Sequence, residues 1–223
     1  MMAEAQQRKE RSLVKAVAHS VPCHVSLPCI ESEAECCLRT KVEVVQRAWA
    51  LYIVLAKAFE MEEGPLNELI EDLGARSWLS PKELEFIEPR RGAFVSNQDE
   101  ILGEQRTRFS WRYESLSVIL WSLGFIHELS FPDAQCDVEV IEELFSNNDP
   151  ADFEAKANLR TPGEILDEAD LIYRYHWATT QARLEGKESP AGLDSGIVYE
   201  RHYALNWLIG YQDQPWDAVT TDT

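Results

Sequence analysis

Basic residues are scarce in this chain. Lys and Arg together number 21 against 39 Asp and Glu, which gives a formal net charge of −18 over 223 residues. Proteins that bind nucleic acid draw much of their affinity from a basic face that neutralises phosphates. Anionic membrane surfaces likewise attract clusters of Lys and Arg. The charge balance therefore argues against both kinds of partner, and it favours solubility and fast encounter with a basic protein.

Long apolar runs are missing as well. No stretch of about 18 apolar residues occurs, so we expect no transmembrane helix. The longest apolar-rich piece covers residues 48–59, and Lys57 interrupts it. Residues 1–20 carry charges throughout and contain no continuous apolar core of the kind that a secretory signal has. A cytoplasmic protein is therefore expected.

The chain also lacks the short motifs that usually indicate a cofactor. Its 10 glycines form neither a P-loop nor a dinucleotide-binding pattern. Its 5 cysteines contain no Cys-x-x-Cys pair, and an odd count without a signal sequence is typical of reduced thiols. A zinc site that uses these thiols with His19 and His24 is a weak alternative. We expect no resident cofactor and no metal.

Helix start signals, in contrast, are frequent. The stretches Ser80-Pro81-Lys82-Glu83 and Thr161-Pro162-Gly163-Glu164 have the form of capping boxes with proline at the first helical position. Apolar residues recur at helical spacing over 32–60 and 98–123, which predicts two long amphipathic helices there. Strands would require alternation of apolar and polar residues, and the sequence contains no such pattern of any length.

These signals predict an all-α fold, with one compact domain of about eight to ten helices. Residues 1–30 should form an N-terminal helix followed by an extended connector, because the two prolines of this segment disfavour helix before them. Residues 31–223 should form the helical body. A short hairpin near residues 23–30 or 92–95 is the alternative to a wholly helical chain.

Three helices expected at the centre contain charged residues on faces that should be dry. Around residues 111–121, 165–184 and 197–209, apolar side chains point in nearly every direction, which is typical of helices buried on all sides. A charge buried there must be paired and hydrogen-bonded, or its pKa shifts toward the neutral form. The candidate site is the set of polar residues on these helices. Its members are Arg112, Glu114, Asp167, Asp170, Arg174, His176, Glu200, Arg201, His202 and Asn206.

This polar cluster has two interpretations. In the first, salt bridges between its acids and arginines fix the register of the helices. In the second, the cluster lines a pocket walled by Trp and Tyr, where the arginines would bind a carboxylate or phosphate. A site for a hard divalent cation at Asp167, Asp170 and His202 is a weaker variant, since these helices lack the Glu-x-x-His pairs of helical di-metal sites.

Several runs in the same segments form a recognisable combination. They are Trp111-Arg112-Tyr113-Glu114, Tyr173-Arg174-Tyr175-His176-Trp177-Ala178, Glu200-Arg201-His202-Tyr203-Ala204-Leu205-Asn206-Trp207-Leu208 and Trp216-Asp217. Together they resemble the signature of the bacterial domain-of-unknown-function family 4272, and the resemblance extends over most of the chain. It implies a bacterial, cytosolic, mainly helical protein without an established activity, and it supplies no catalytic residues.

Two hypotheses for the function follow. The first is a non-enzymatic binding protein, whose acidic surface recognises a basic partner protein. An immunity-type protein that neutralises a toxin is one version of it. The alternative is a hydrolase-like or small-anion-binding protein that uses the buried cluster, so the sequence leaves enzymatic activity undecided. The sequence contains no pattern that indicates an oligomeric state.

Overall fold

The computed structural model describes residues 2–89 and 98–223. Within these residues the chain forms ten α-helices and no strand, so the prediction of an all-α fold with eight to ten helices is confirmed. The helices are α1 (Met2–Ala18), α2 (Lys41–Ala58), α3 (Glu63–Leu73), α4 (Pro81–Ile87), α5 (Gln98–Ser110), α6 (Arg112–Ser122), α7 (Val138–Ser146), α8 (Pro150–Lys156), α9 (Pro162–Leu184) and α10 (Ser195–Leu208).

Capping side chains set several of the helix starts. Both predicted capping boxes form, at Ser80 for α4 and at Thr161 for α9. A third box at Thr40 starts α2, so the helix predicted from residue 32 begins nine residues later, at Lys41. The physical reason lies just upstream, where the Glu35 carboxylate accepts hydrogen bonds from the backbone N–H and the hydroxyl of Ser32 and stabilises a turn instead of a helix.

The long helix predicted over residues 98–123 is divided at Trp111. Helix α5 ends at Ser110, and a hydrogen bond from the Glu114 N–H to the Trp111 carbonyl begins α6. Of the two hairpin alternatives, residues 23–30 form turns and no strand, and residues 92–95 lie outside the described part of the chain.

The helices pack in a chain of neighbours that forms one compact domain. Helix α1 lies against α9, α9 against α10, α10 against α6, and α6 against α2. A large apolar core extends through α2, α6, α9 and α10, and a smaller one lies between α2 and helices α3 to α5, where Phe86 stacks on Phe109. None of the described helices has an apolar stretch long enough to cross a bilayer.

A close backbone approach joins the end of α10 to the segment before α2. Gly210 has a φ of 67°, in the left-handed region that favours glycine. A Cβ atom at this position would collide with the carbonyl group of Cys37. Both the conformation and the contact therefore require a residue without a side chain.

We predict that Gly210→Ala lowers the free energy of unfolding by about 1–3 kcal/mol, because alanine would add left-handed strain and a backbone clash. Gly103→Ala is the matched control. Gly103 lies in α5 and has open space around it, so alanine there should raise stability by about 0.5–1 kcal/mol. Urea denaturation of both variants measures the difference. Equal effects of the two substitutions would contradict the close approach.

Candidate functional site

The central part of the predicted polar cluster consists of two reciprocal ion pairs between α6 and α10. Arg112 Nη1 lies 2.9 Å from Glu200 Oε2, and Arg201 Nε lies 3.1 Å from Glu114 Oε2. Each helix therefore contributes one acid and one arginine. All four side chains are buried, so both pairs lie in a medium of low dielectric constant.

Additional hydrogen bonds satisfy these charges. The Ser115 hydroxyl donates to Glu200 Oε2 over 2.6 Å, and the Cys136 N–H donates to Glu114 Oε1 over 2.6 Å. Arg201 Nη1 donates to the Ser130 carbonyl. Buried ion pairs persist when such partners take up their remaining hydrogen-bonding capacity. The arrangement supports the first interpretation of these four residues, as salt bridges that fix helix register.

Asp170 and Arg174 form a third pair within α9, with both side chains fully buried and Arg174 Nη2 lying 2.6 Å from Asp170 Oδ1. The same Nη2 donates to the Pro28 carbonyl over 2.9 Å, which fixes the connector that follows α1. The prediction that Asp167 lies on a dry face is wrong, because its side chain is 37% exposed at the interface with α1, where Arg11 donates to it over 2.6 Å. Asp167 and Asp170, the two aspartates of the hypothetical divalent-cation site, thus belong to different ion pairs. In the described part of the chain, no three His, Cys, Asp or Glu residues cluster as metal ligands would.

Sequence reasoning missed two buried arginines. Arg8 of α1 donates to the Glu31 carbonyl over 2.9 Å and pairs with Glu4. Arg47 of α2 pairs with Glu83 at 2.8 Å. The capping box at Ser80 pointed to Glu83, but only as a helix cap. No pattern in the sequence marked Arg8, because α1 as a whole has a polar composition.

The two histidines of the cluster meet between α9 and α10. His176 Nδ1 lies 2.8 Å from His202 Nδ1, so one ring donates its Nδ1–H and the other accepts. Burial lowers the pKa of His176 to about 4, with a smaller contribution from the charge of Arg183. Burial also lowers the pKa of His202 to about 3, with His176 adding to the shift. Both rings are therefore neutral at pH 7.

The caps at the starts of α9 and α10 set the positions of the two histidines. The Thr161 capping box begins α9, and Asp194 caps α10 by accepting hydrogen bonds from the N–H groups of Gly196 and Ile197. Trp111 packs so closely against Gly196 that a Cβ atom there would lie 2.9 Å from its ring. The glycine thus lets the start of α10 approach the start of α6.

His202 and Asn206 lie one turn apart on α10 and contribute to a cleft of about 600 Å³, which we call the acidic cleft. Its walls are the connector after α1, one face of α9 and α10, and the C-terminal segment. The lining residues are Pro28, Cys29, Ile30, Glu31, Glu35, Tyr173, His202, Asn206, Ile209, Tyr211, Asp222 and Thr223. Three of them are carboxylates, and none of the described lining residues is Lys or Arg.

Two buried side chains offer free polar atoms to the acidic cleft. His202 is 3% exposed and Asn206 is 6% exposed. Asn206 Nδ2 donates to the Thr220 carbonyl, which leaves its Oδ1 without a hydrogen bond to any described residue. His202 uses Nδ1 for His176, so its Nε2 is likewise free of described partners. Neither atom is fully enclosed by protein, so a ligand or water in the cleft can reach both.

Comparison with known proteins places the chain in a family. The model of the family described as a domain of unknown function, DUF4272, matches residues 8–219. The chain belongs to the DUF4272 family. The match includes all ten residues of the predicted polar cluster, whereas Asp222 of the acidic cleft lies beyond it. No curated protein and no solved structure matches this DUF4272 chain.

We predict that the histidine pair destabilises the fold as the pH falls. Above about pH 6.5 the rings are neutral in both states. Below that value both histidines become protonated in the unfolded chain. In the folded protein they stay neutral until the pH approaches their pKa values, about 4 for His176 and about 3 for His202. The free energy of unfolding should therefore fall by up to about 1.4 kcal/mol per pH unit for each histidine.

The measurement is urea denaturation between pH 7 and pH 4.5 on the wild type and on His176→Gln/His202→Gln. The double variant should show the shallower decline. His127→Gln, which changes an exposed histidine, is the control and should follow the wild type. Parallel pH profiles for the wild type and the double variant would show that the two rings are not held neutral.

Proposed function

We propose that this protein is a non-enzymatic binding protein for a basic partner protein, and that the acidic cleft receives a Lys or Arg side chain of that partner. One observation carries the proposal. The cleft combines three carboxylates with the free Oδ1 acceptor of the buried Asn206, and no basic residue among its described lining offsets the negative charge.

The chemistry of the cleft suits a cation. Hydrogen bonds from Ser32 lower the pKa of Glu35, so that carboxylate is ionised at pH 7. Asn206 Oδ1 adds an acceptor, and the neutral ring of His202 adds no positive charge. Tyr211 also lines the cleft, and an aromatic ring attracts a guanidinium or ammonium group, as Tyr173 shows with the Arg174 guanidinium 4.9 Å from its ring centre.

The charge of the whole chain supports a protein partner. A net charge of −18 accelerates encounter with a basic surface and orients it before contact. Two walls of the cleft are the connector after α1 and the C-terminal segment, which lie at the surface where a partner can reach them. An immunity-type protein that neutralises a basic toxin is one version of this function.

The pairing of the buried charges favours binding over a hydrolase-like activity. A hydrolase would need free carboxylates at its reacting centre. Glu114, Asp170 and Glu200 instead accept hydrogen bonds from buried arginines. For the compartment we propose the cytoplasm, because all five cysteines are free thiols, as a reducing environment maintains them.

We predict that removal of two cleft charges weakens binding of a basic peptide at least fivefold. The probe is hexa-arginine, measured by isothermal titration calorimetry at low salt on the wild type and on Glu31→Gln/Asp222→Asn. Hexa-glutamate should not bind. The expected loss exceeds the effect of bulk charge because Glu31 and Asp222 would contact the ligand directly.

The matched control is Glu139→Gln/Glu154→Gln, which removes the same charge from exposed positions on α7 and α8. It should lose less than twofold. Equal losses in both double variants would assign the binding to overall charge rather than to the cleft. No binding of hexa-arginine to the wild type at low salt would overturn the proposal. In lysate of the native host, partners lost only from the cleft variant should be basic proteins.

A further inference from the structure

A second cavity, which we call the amphipathic cavity, lies along a different face of α10 from the acidic cleft. It has a volume of about 420 Å³, within the range of small-molecule sites. Its wall combines apolar side chains, among them Trp121, Phe131, Ile172 and Leu205, with polar and charged ones. The two sites share no lining residue, so an occupant of one does not require the other.

Arg201 brings a buried positive group to the amphipathic cavity. Arg201 is 3% exposed. Its Nε donates to Glu114, and its Nη1 donates to the Ser130 carbonyl. Its Nη2 atom makes no hydrogen bond with a described residue. The two bonds hold the guanidinium plane in place, so Nη2 is an oriented donor for a carboxylate oxygen.

Glu168 brings a carboxylate to the same cavity. It projects from α9, where Lys15 Nζ of α1 lies 3.9 Å from its Oε1. Burial raises its pKa, and the charges of Lys15 and Arg201 oppose that shift. The Lys15 side chain is 56% exposed and its contact with Glu168 is long, whereas the Glu168 side chain is 27% exposed. A ligand ammonium could take the place of the lysine.

The Arg201 and Lys15 charges at the cavity are paired without a ligand, and Glu128, the remaining acid of the lining, is exposed to solvent. Arg201 is neutralised by Glu114, and Lys15 by Glu168. A simple anion would add an uncompensated charge to a partly dry site, which costs free energy. A zwitterion adds no net charge, and it offers one group to Arg201 Nη2 and one to Glu168. The apolar side chains of the wall, such as Trp121 and Phe131, then suit a ligand whose remaining part is apolar.

We propose that the amphipathic cavity binds a free α-amino acid with a large apolar side chain. The ligand carboxylate accepts a hydrogen bond from Arg201 Nη2, and its ammonium group donates to Glu168. Its side chain packs against Trp121 and Phe131. This is a site separate from the one that receives the basic partner.

The test is a ligand series measured by thermal shift and calorimetry on the full wild-type chain. L-phenylalanine, L-tryptophan and L-leucine are the probes. 3-Phenylpropionate lacks the ammonium group and 2-phenylethylamine lacks the carboxylate, so each should bind at least tenfold more weakly than L-phenylalanine. No binding of the three amino acids, or equal binding of 3-phenylpropionate and L-phenylalanine, would overturn the proposal.

Variants locate the site. Glu168→Gln should weaken binding of L-phenylalanine at least tenfold, and Leu171→Trp should abolish it by filling the cavity. Glu154→Gln on the exposed face of α8 is the control and should bind as the wild type does. Unchanged affinity in both cavity variants would contradict the assignment. Glu31→Gln/Asp222→Asn should retain L-phenylalanine binding, which separates failure of this inference from failure of the partner proposal.

Discussion

The reciprocal ion pairs between α6 and α10 are the constraint on which the rest of the structure depends. Arg112 and Glu114 face Glu200 and Arg201, so each helix supplies the counter-charges that the other requires. A slip of one helical turn, about 5.4 Å, would leave four charges buried and unpaired. Aromatic packing reinforces this register, since the Arg112 guanidinium lies 4.3 Å from the ring centre of Tyr203. Apolar packing alone would tolerate such a slip far better.

This register also sets both proposed binding sites. Three successive residues of α10 point in three directions. Glu200 faces α6, Arg201 reaches the amphipathic cavity and His202 reaches the acidic cleft. The free atoms at each site are therefore positioned by the same packing that satisfies the buried charges. Arg174 and Arg8 extend the arrangement outward, because their hydrogen bonds to the carbonyls of Pro28 and Glu31 hold the connector that forms one wall of the cleft.

Most helices and many buried polar residues could be predicted from sequence, whereas Arg8, Arg47 and the partners of the buried charges could not. Capping boxes and periodicity identified most helices. Apolar residues on nearly every face of three helices indicated that Glu114, Arg174 and His202 are buried. Periodicity gives the face of a residue but not the helix that packs on it, so it did not separate ion pairs from a pocket. Glu31 and Asp222 lie in irregular segments, where spacing carries no information about which cavity a side chain lines.

A double-mutant cycle on Arg112 and Glu200 tests the central constraint most directly. The cycle compares the free energies of unfolding of Arg112→Met, Glu200→Leu, the double variant and the wild type. Each single variant leaves an unpaired buried charge and should lose about 3–5 kcal/mol, whereas the double variant should lose much less than the sum. A coupling energy of at least about 1 kcal/mol is the predicted result. Additive losses would contradict the account, because they would show that the two residues do not stabilise each other.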